Sequence, residues 1–171
     1  MLLTYVPPFP IYPPEMAWMR TPRTDIPGLI VRTTPPGNRI AFLAADLDRR
    51  FGRDNLPDHG DLLANLVRWA AGDSVPLGVK GRGFIDCHLY RQPGRMILHL
   101  VNLTNAGTAR APVHELIPVG PLDVRVKLEA DVPGRGAKRL VARDEVRTEP
   151  ADGWASFELP TLLDHEVVVI T

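Results

Sequence analysis

The chain has 171 residues, 20 Lys and Arg against 20 Asp and Glu, and a formal net charge of +0. That length predicts one domain or two small ones with an ample core, and neutrality argues against a basic nucleic-acid binder or a polybasic membrane-surface protein. The apolar runs are too short for a membrane span of roughly 20 residues, and the single cysteine, Cys87, excludes an internal disulfide framework or an all-cysteine metal site. With 44% hydrophobic and 23% charged residues the composition is that of an ordinary globular protein. Met1-Leu2-Leu3-Thr4 has no basic n-region, so a cytoplasmic location is expected.

Residues 1–37 read as extended chain and turns, because half of the 18 prolines lie there, each fixing φ and removing a backbone donor. Tyr5, Phe9, Ile11, Tyr12, Met16, Trp18 and Met19 make the segment too apolar for a disordered tail. It is expected to drape over a hydrophobic surface of this chain or of a partner. Leu29-Ile30-Val31 is a short strand candidate, closed by the turn Pro35-Pro36-Gly37-Asn38. Arg39 to Ala45 is almost continuously apolar, which predicts a strand covered on both faces. After a loop, Asp58 is placed to cap a helix running to about Ala71. Leu62, Leu63, Leu66, Val67 and Ala70 form its apolar stripe and Gly72 its stop. One strand and one helix make an incomplete α/β unit, so residues 1–75 are read as a partial domain.

From Pro76 the period changes to two. Ile85, Cys87 and Leu89 share one face of a strand, and Gln92-Pro93-Gly94-Arg95 turns it into a second strand over Met96–Leu103. Further strands are expected around 113–117, 122–129, 138–143, 154–159 and 165–171. Short strands at this spacing predict a β-sandwich or small barrel over 76–171. The fold class expected is therefore mainly β with a partial α/β segment.

Candidate chemistry is sparse. Asp46, Asp48 and Asp54 lie just past a strand's carboxyl end, where ligand sites of open α/β sheets collect. Interleaved Arg49, Arg50 and Arg53 suggest surface charge pairing instead. Trp18 with Arg20 and Arg23 is a candidate aromatic ligand contact. Asp58-His59-Gly60-Asp61 offers metal-ligand types, but a helix start explains the acids better. Cys87 and His88 point to opposite faces of a strand and cannot form a nucleophile–base pair. His99 could face either across the hairpin, depending on register. Asn102-Leu103-Thr104 matches a glycosylation sequon that needs a secretory route. No catalytic, phosphate-binding or dinucleotide motif is present, so neither cofactor nor metal is expected.

Arg39–Leu43, Asp46-Leu47-Asp48-Arg49 and Pro57–Asn65 together resemble the end of a β-galactosidase trimerisation-like domain. Arg95–Asn105, His114–Pro121 and Leu163–Val169 are similar to the C-terminal β domain that follows it. The resemblance implies a parent glycoside hydrolase with a (β/α)₈ barrel, a flavodoxin-like middle domain and a small β tail. The barrel is absent here, and a barrel alone needs roughly 250 residues. No catalytic residue carries over, and residues 1–75 are then the remnant of a flavodoxin-like domain.

The function expected is a noncatalytic structural or assembly module. Its expected partners are further copies of itself or a barrel-containing hydrolase subunit. The alternatives are a carbohydrate-binding β-sandwich, with Trp154 as contact, and a stand-alone enzyme using Asp46 and Asp48. An apolar sheet face left open at Ile40, Phe42 and Leu43 favours self-association through residues 1–72.

Overall fold

The computed structural model describes residues 1–104 and 115–171. The described residues form three antiparallel sheets, two short α-helices and one turn of 3-10 helix at Pro14–Met16, the mainly β class with a small α/β portion that the periodicities predict. The chain divides into two compact units, Met1–Val75 and Pro76–Thr171.

In the first unit β1 (Leu3–Thr4), β2 (Pro27–Thr33) and β3 (Arg39–Leu43) form a sheet in chain order. β1 pairs before the prolines begin, with Leu2 and Tyr5 donating to the carbonyls of Leu29 and Ile26 at 2.8 and 2.9 Å. The turn after β2 is the one expected. Gly37 sits at φ +109°, a conformation that suits glycine, and Thr34 donates to the Asn38 carbonyl at 2.8 Å. This tight link corrects the reading of β3 as a strand covered on both faces. A short turn joins only antiparallel strands, and the resulting sheet leaves Ile40 52% and Phe42 61% exposed.

The stretch expected as a loop is α1 (Leu47–Asp54), stitched by ion pairs Asp46–Arg49 at 2.5 Å and Arg50–Asp54 at 2.9 Å. Asn55, in the left-handed region, ends it. α2 (Pro57–Ala70) starts at Pro57 with Leu56 in the N-cap position, so Asp58 lies inside the first turn rather than capping it. Gly72 follows its end at φ +62°, the stop expected. The half-buried face is Leu62, Leu63, Leu66 and Trp69. Val67 and Ala70 are exposed and lie outside it. Arg39 ties β3 to α2 by donating to the Trp69 carbonyl at 2.9 Å, with its guanidinium 5.8 Å from the Trp69 ring centroid. Leu29 is the one hydrophobic side chain of this unit that is fully buried. In the proline-rich segment Phe9 is half-buried, whereas Ile11 and Tyr12 are 83% and 80% exposed.

The second unit is a sandwich. One sheet runs β10 (Glu149–Ala151), β11 (Trp154–Leu159), β7 (Leu122–Lys127), β4 (Leu77–Lys80). The other runs β5 (Ile85–Gln92), β6 (Arg95–Asn102), β12 (His165–Ile170), β8 (Ala137–Arg139), β9 (Asp144–Val146). Strict alternation buries Leu98, Leu100, Val168 and Ile170 from one sheet against Val124, Val126, Ala155 and Leu159 from the other. The strand expected at 138–143 stops at Arg139, where residues 140–143 turn so that β9 can pair back on β8. Of the strand expected at 113–117, residues 113 and 114 lie outside the described residues. Residues 115–117 are not in a strand, and Val119 instead bridges Leu162.

Candidate functional site

The residues singled out in the first unit do not converge. Trp18 is exposed, with the Arg20 guanidinium 5.5 Å from its ring centroid, and Arg23 is an exposed residue further along the same segment. Asp46 is held by Arg49 just before α1, Asp48 lies exposed in the first turn of α1, and Asp54 sits between Arg50 and Arg53. These pairs neutralise each other on a surface. They do not set two carboxylates across a cleft, as glycosidic cleavage requires. His59 is half-buried with its Nδ1 lacking a hydrogen-bond partner, and no cluster of three potential metal ligands occurs among the described residues.

The second unit holds more organised polar groups. On the β5–β6 hairpin, Asp86, His88, Tyr90 and Gln92 project to the outer face, opposite Val101, His99, Ile97 and Arg95 in register. Asp86 Oδ2 lies 3.0 Å from His88 Nε2. The His88 and Tyr90 rings are 20° from parallel with centroids 6.5 Å apart, and His99 stands edge-on to Tyr90 at 5.4 Å. At the turn, Arg95 donates to Gln92 Oε1 at 2.7 Å. Tyr90 is 55% exposed. His88 and His99 are thus cross-strand partners, which settles the register that the sequence left open. Cys87 faces the other way, into the core. Burial first, then the charge of Asp86, pushes its thiol pKa up, the reverse of what a nucleophile needs.

Trp154 is a poorer platform than its residue type suggests. The Arg125 guanidinium lies 4.3 Å from its ring centroid and occupies that face. An open cleft of about 350 Å³ lies between the 128–133 and 150–153 loops, lined by Leu128, Glu129, Val132, Pro133, Pro150 and Asp152. Arg91 holds its rim, 3.3 Å from Glu129 and 3.4 Å from Asp131. The sequon asparagine is structural. Asn102 Nδ2 donates to the carbonyls of Ile117, Leu162 and Leu163, while its Oδ1 accepts from the Thr104 amide. A glycan on that nitrogen is incompatible with these bonds.

No protein-family model and no curated protein matches the chain. Among solved structures it is similar to α-L-fucosidase isoenzyme 2 from Paenibacillus thiaminolyticus, with a TM-score of 0.66 at 17% identity over 91% of this chain. The chain spans only 23% of that protein. A slighter likeness, TM-score 0.38 at 15% identity, covers 61% of this chain and 20% of a Paenibacillus cycloisomaltooligosaccharide glucanotransferase complexed with cycloisomaltoheptaose. It is too weak to bear on the fold. This neighbour is a fucosidase, and the β-galactosidase type expected from the sequence is not shown. At this identity the likeness is one of fold: the chain resembles a stretch of that glycoside hydrolase. No helix among the described residues is long and apolar enough to cross a membrane.

Proposed function

We propose that this chain is a noncatalytic structural and assembly module of a glycoside-hydrolase-like protein. The observation that carries the reading is the thinness of the first unit. It has one fully buried hydrophobic side chain, Leu29, and a sheet face on which Ile30, Ile40 and Phe42 stand exposed together. A fully buried side chain of this size is worth about 1.5–3 kcal/mol, so a face of three is best explained by a protein surface that covers it. Further copies of the chain, or a barrel-containing hydrolase subunit, supply that surface. A β-galactosidase-type parent, with this unit as its trimerisation element, is one form of this proposal. A fucosidase-type parent is the other.

The pairing of Asp46 and Asp54 with arginines supports the noncatalytic part. A screen of the purified chain against nitrophenyl glycosides, α-L-fucoside and β-D-galactoside included, tests it. No turnover above background is expected. Turnover that survives repurification and disappears on Asp46→Asn or Asp48→Asn would establish the acidic segment as an active site and reverse the reading.

A further inference from the structure

We propose that the outer face of the β5–β6 hairpin is a binding strip for a neutral saccharide chain, with Tyr90 and His88 as its contact rings. The choice of a saccharide over other uncharged ligands rests on the glycoside-hydrolase reading above. The strip itself rests on the hairpin's geometry.

Asp86, His88, Tyr90 and Gln92 alternate onto one face of an edge strand, a row of roughly 20 Å at about 3.4 Å per residue. Two near-parallel rings at its centre are more than half exposed, and a third ring, His99, is packed edge-on behind Tyr90. That edge contact supports the Tyr90 ring on one side, which lowers the rotamer freedom to be lost on binding. Exposed tyrosine offers an apolar ring face for sugar C–H groups and a phenol for sugar hydroxyls.

The polar groups around the rings fit the same ligand. A carboxylate at one end (Asp86) and a guanidinium at the other (Arg95) balance in charge, with an imidazole, a phenol and an amide between them. Donors and acceptors without net charge complement a polyhydroxylated chain. They do not complement a phosphate backbone, which needs an excess of cations. Trp154 carries an arginine over one face of its ring, so this row is a more open ring surface than Trp154.

The test uses the full chain with cellohexaose, xylohexaose, maltohexaose and a fucosylated xyloglucan oligosaccharide, followed by calorimetry and saturation-transfer NMR. At least one is expected to bind and to receive saturation from aromatic protons. Tyr90→Ala should weaken binding about tenfold, equivalent to about 1.4 kcal/mol, while Trp154→Ala leaves it unchanged. His88→Ala gives the second reading should Tyr90→Ala lose its native circular dichroism. Failure of all four sugars overturns the proposal. So does binding that survives both ring substitutions, as a peptide adding to the β5 edge through its backbone would. Glycoside turnover is read separately, so either idea can fail without the other.

Discussion

Asn102 shows how one side chain closes the end of a sandwich. It is 5% exposed, and its amide binds three carbonyls from the segments 115–118 and 160–164 while accepting from Thr104. Removing it leaves buried acceptors without partners, so Asn102→Ala should cost about 1–3 kcal/mol in urea unfolding. Asn102→Asp should do no better, because a carboxylate cannot donate. Glu166 plays the complementary part, accepting from the amides of Val141, Ala142 and Val167 at 2.9–3.1 Å and fixing the turn between β8 and β9. In the same turn Arg139 grips Asp144, with Nε 2.6 Å from Oδ1. The hydrogen bond from Arg139 holds the Asp144 carboxyl below its usual range, and the Gly94 amide does the same for Asp131. A depressed folded pKa means stability that is present above the unfolded value near 3.9 and is lost as pH falls through the folded one. The melting temperature should therefore drop as pH falls below about 4, and Asp144→Asn should flatten that drop. An unchanged acid profile in Asp144→Asn would remove this pair from the explanation.

At the level of elements, what could be read from residues alone depended on whether a signal was local. Strict alternation in Leu122–Lys127 and His165–Ile170, and the Pro93-Gly94 turn, predicted β7, β12 and the β5–β6 hairpin because side-chain direction and turn geometry are set within a few residues. α1 carries no such signal, because its helix depends on Asp–Arg pairing three and four residues apart rather than on an apolar stripe. The three-residue strands β9 and β10 are not legible in the sequence because they exist only through their partners. The His88–Tyr90–His99 cluster needs cross-strand register, which no stretch of either strand specifies by itself. Burial likewise could not be read from hydrophobicity, since Phe42 and Leu98 look alike as strand residues. The difference is measurable. Leu98→Ala, at a site with no solvent exposure, should cost about 2–5 kcal/mol. Phe42→Ala should leave the unfolding of the sandwich within about 0.5 kcal/mol of wild type. Equal losses at the two positions would mean that the β3 face is already covered in the isolated chain.

For the whole molecule, the contrast between the two units sets the expected behaviour in solution. Pro76–Thr171 buries a contiguous core between two sheets, whereas Met1–Val75 buries Leu29 and leaves Ile30, Ile40 and Phe42 outward, along with Ile11, Tyr12 and Trp18 of the proline-rich segment. Apolar surface on that scale favours association. An edge strand as short and apolar as β3 adds unpaired backbone groups to the attraction. The chain is therefore expected to run as a homo-oligomer held through residues 1–72. Light scattering at micromolar concentration should return a mass above the 18.9 kDa of one chain. The double substitution Ile40→Ser with Phe42→Ser should shift it to monomer without changing the circular dichroism of the sandwich. Tyr90→Ala, on the outer face of the second unit, should leave the mass unchanged. A monodisperse wild-type monomer would defeat self-association. The β3 face would then be left to a different subunit, and co-expression with a barrel-containing hydrolase, read by the loss of complex in the same double variant, becomes the deciding measurement.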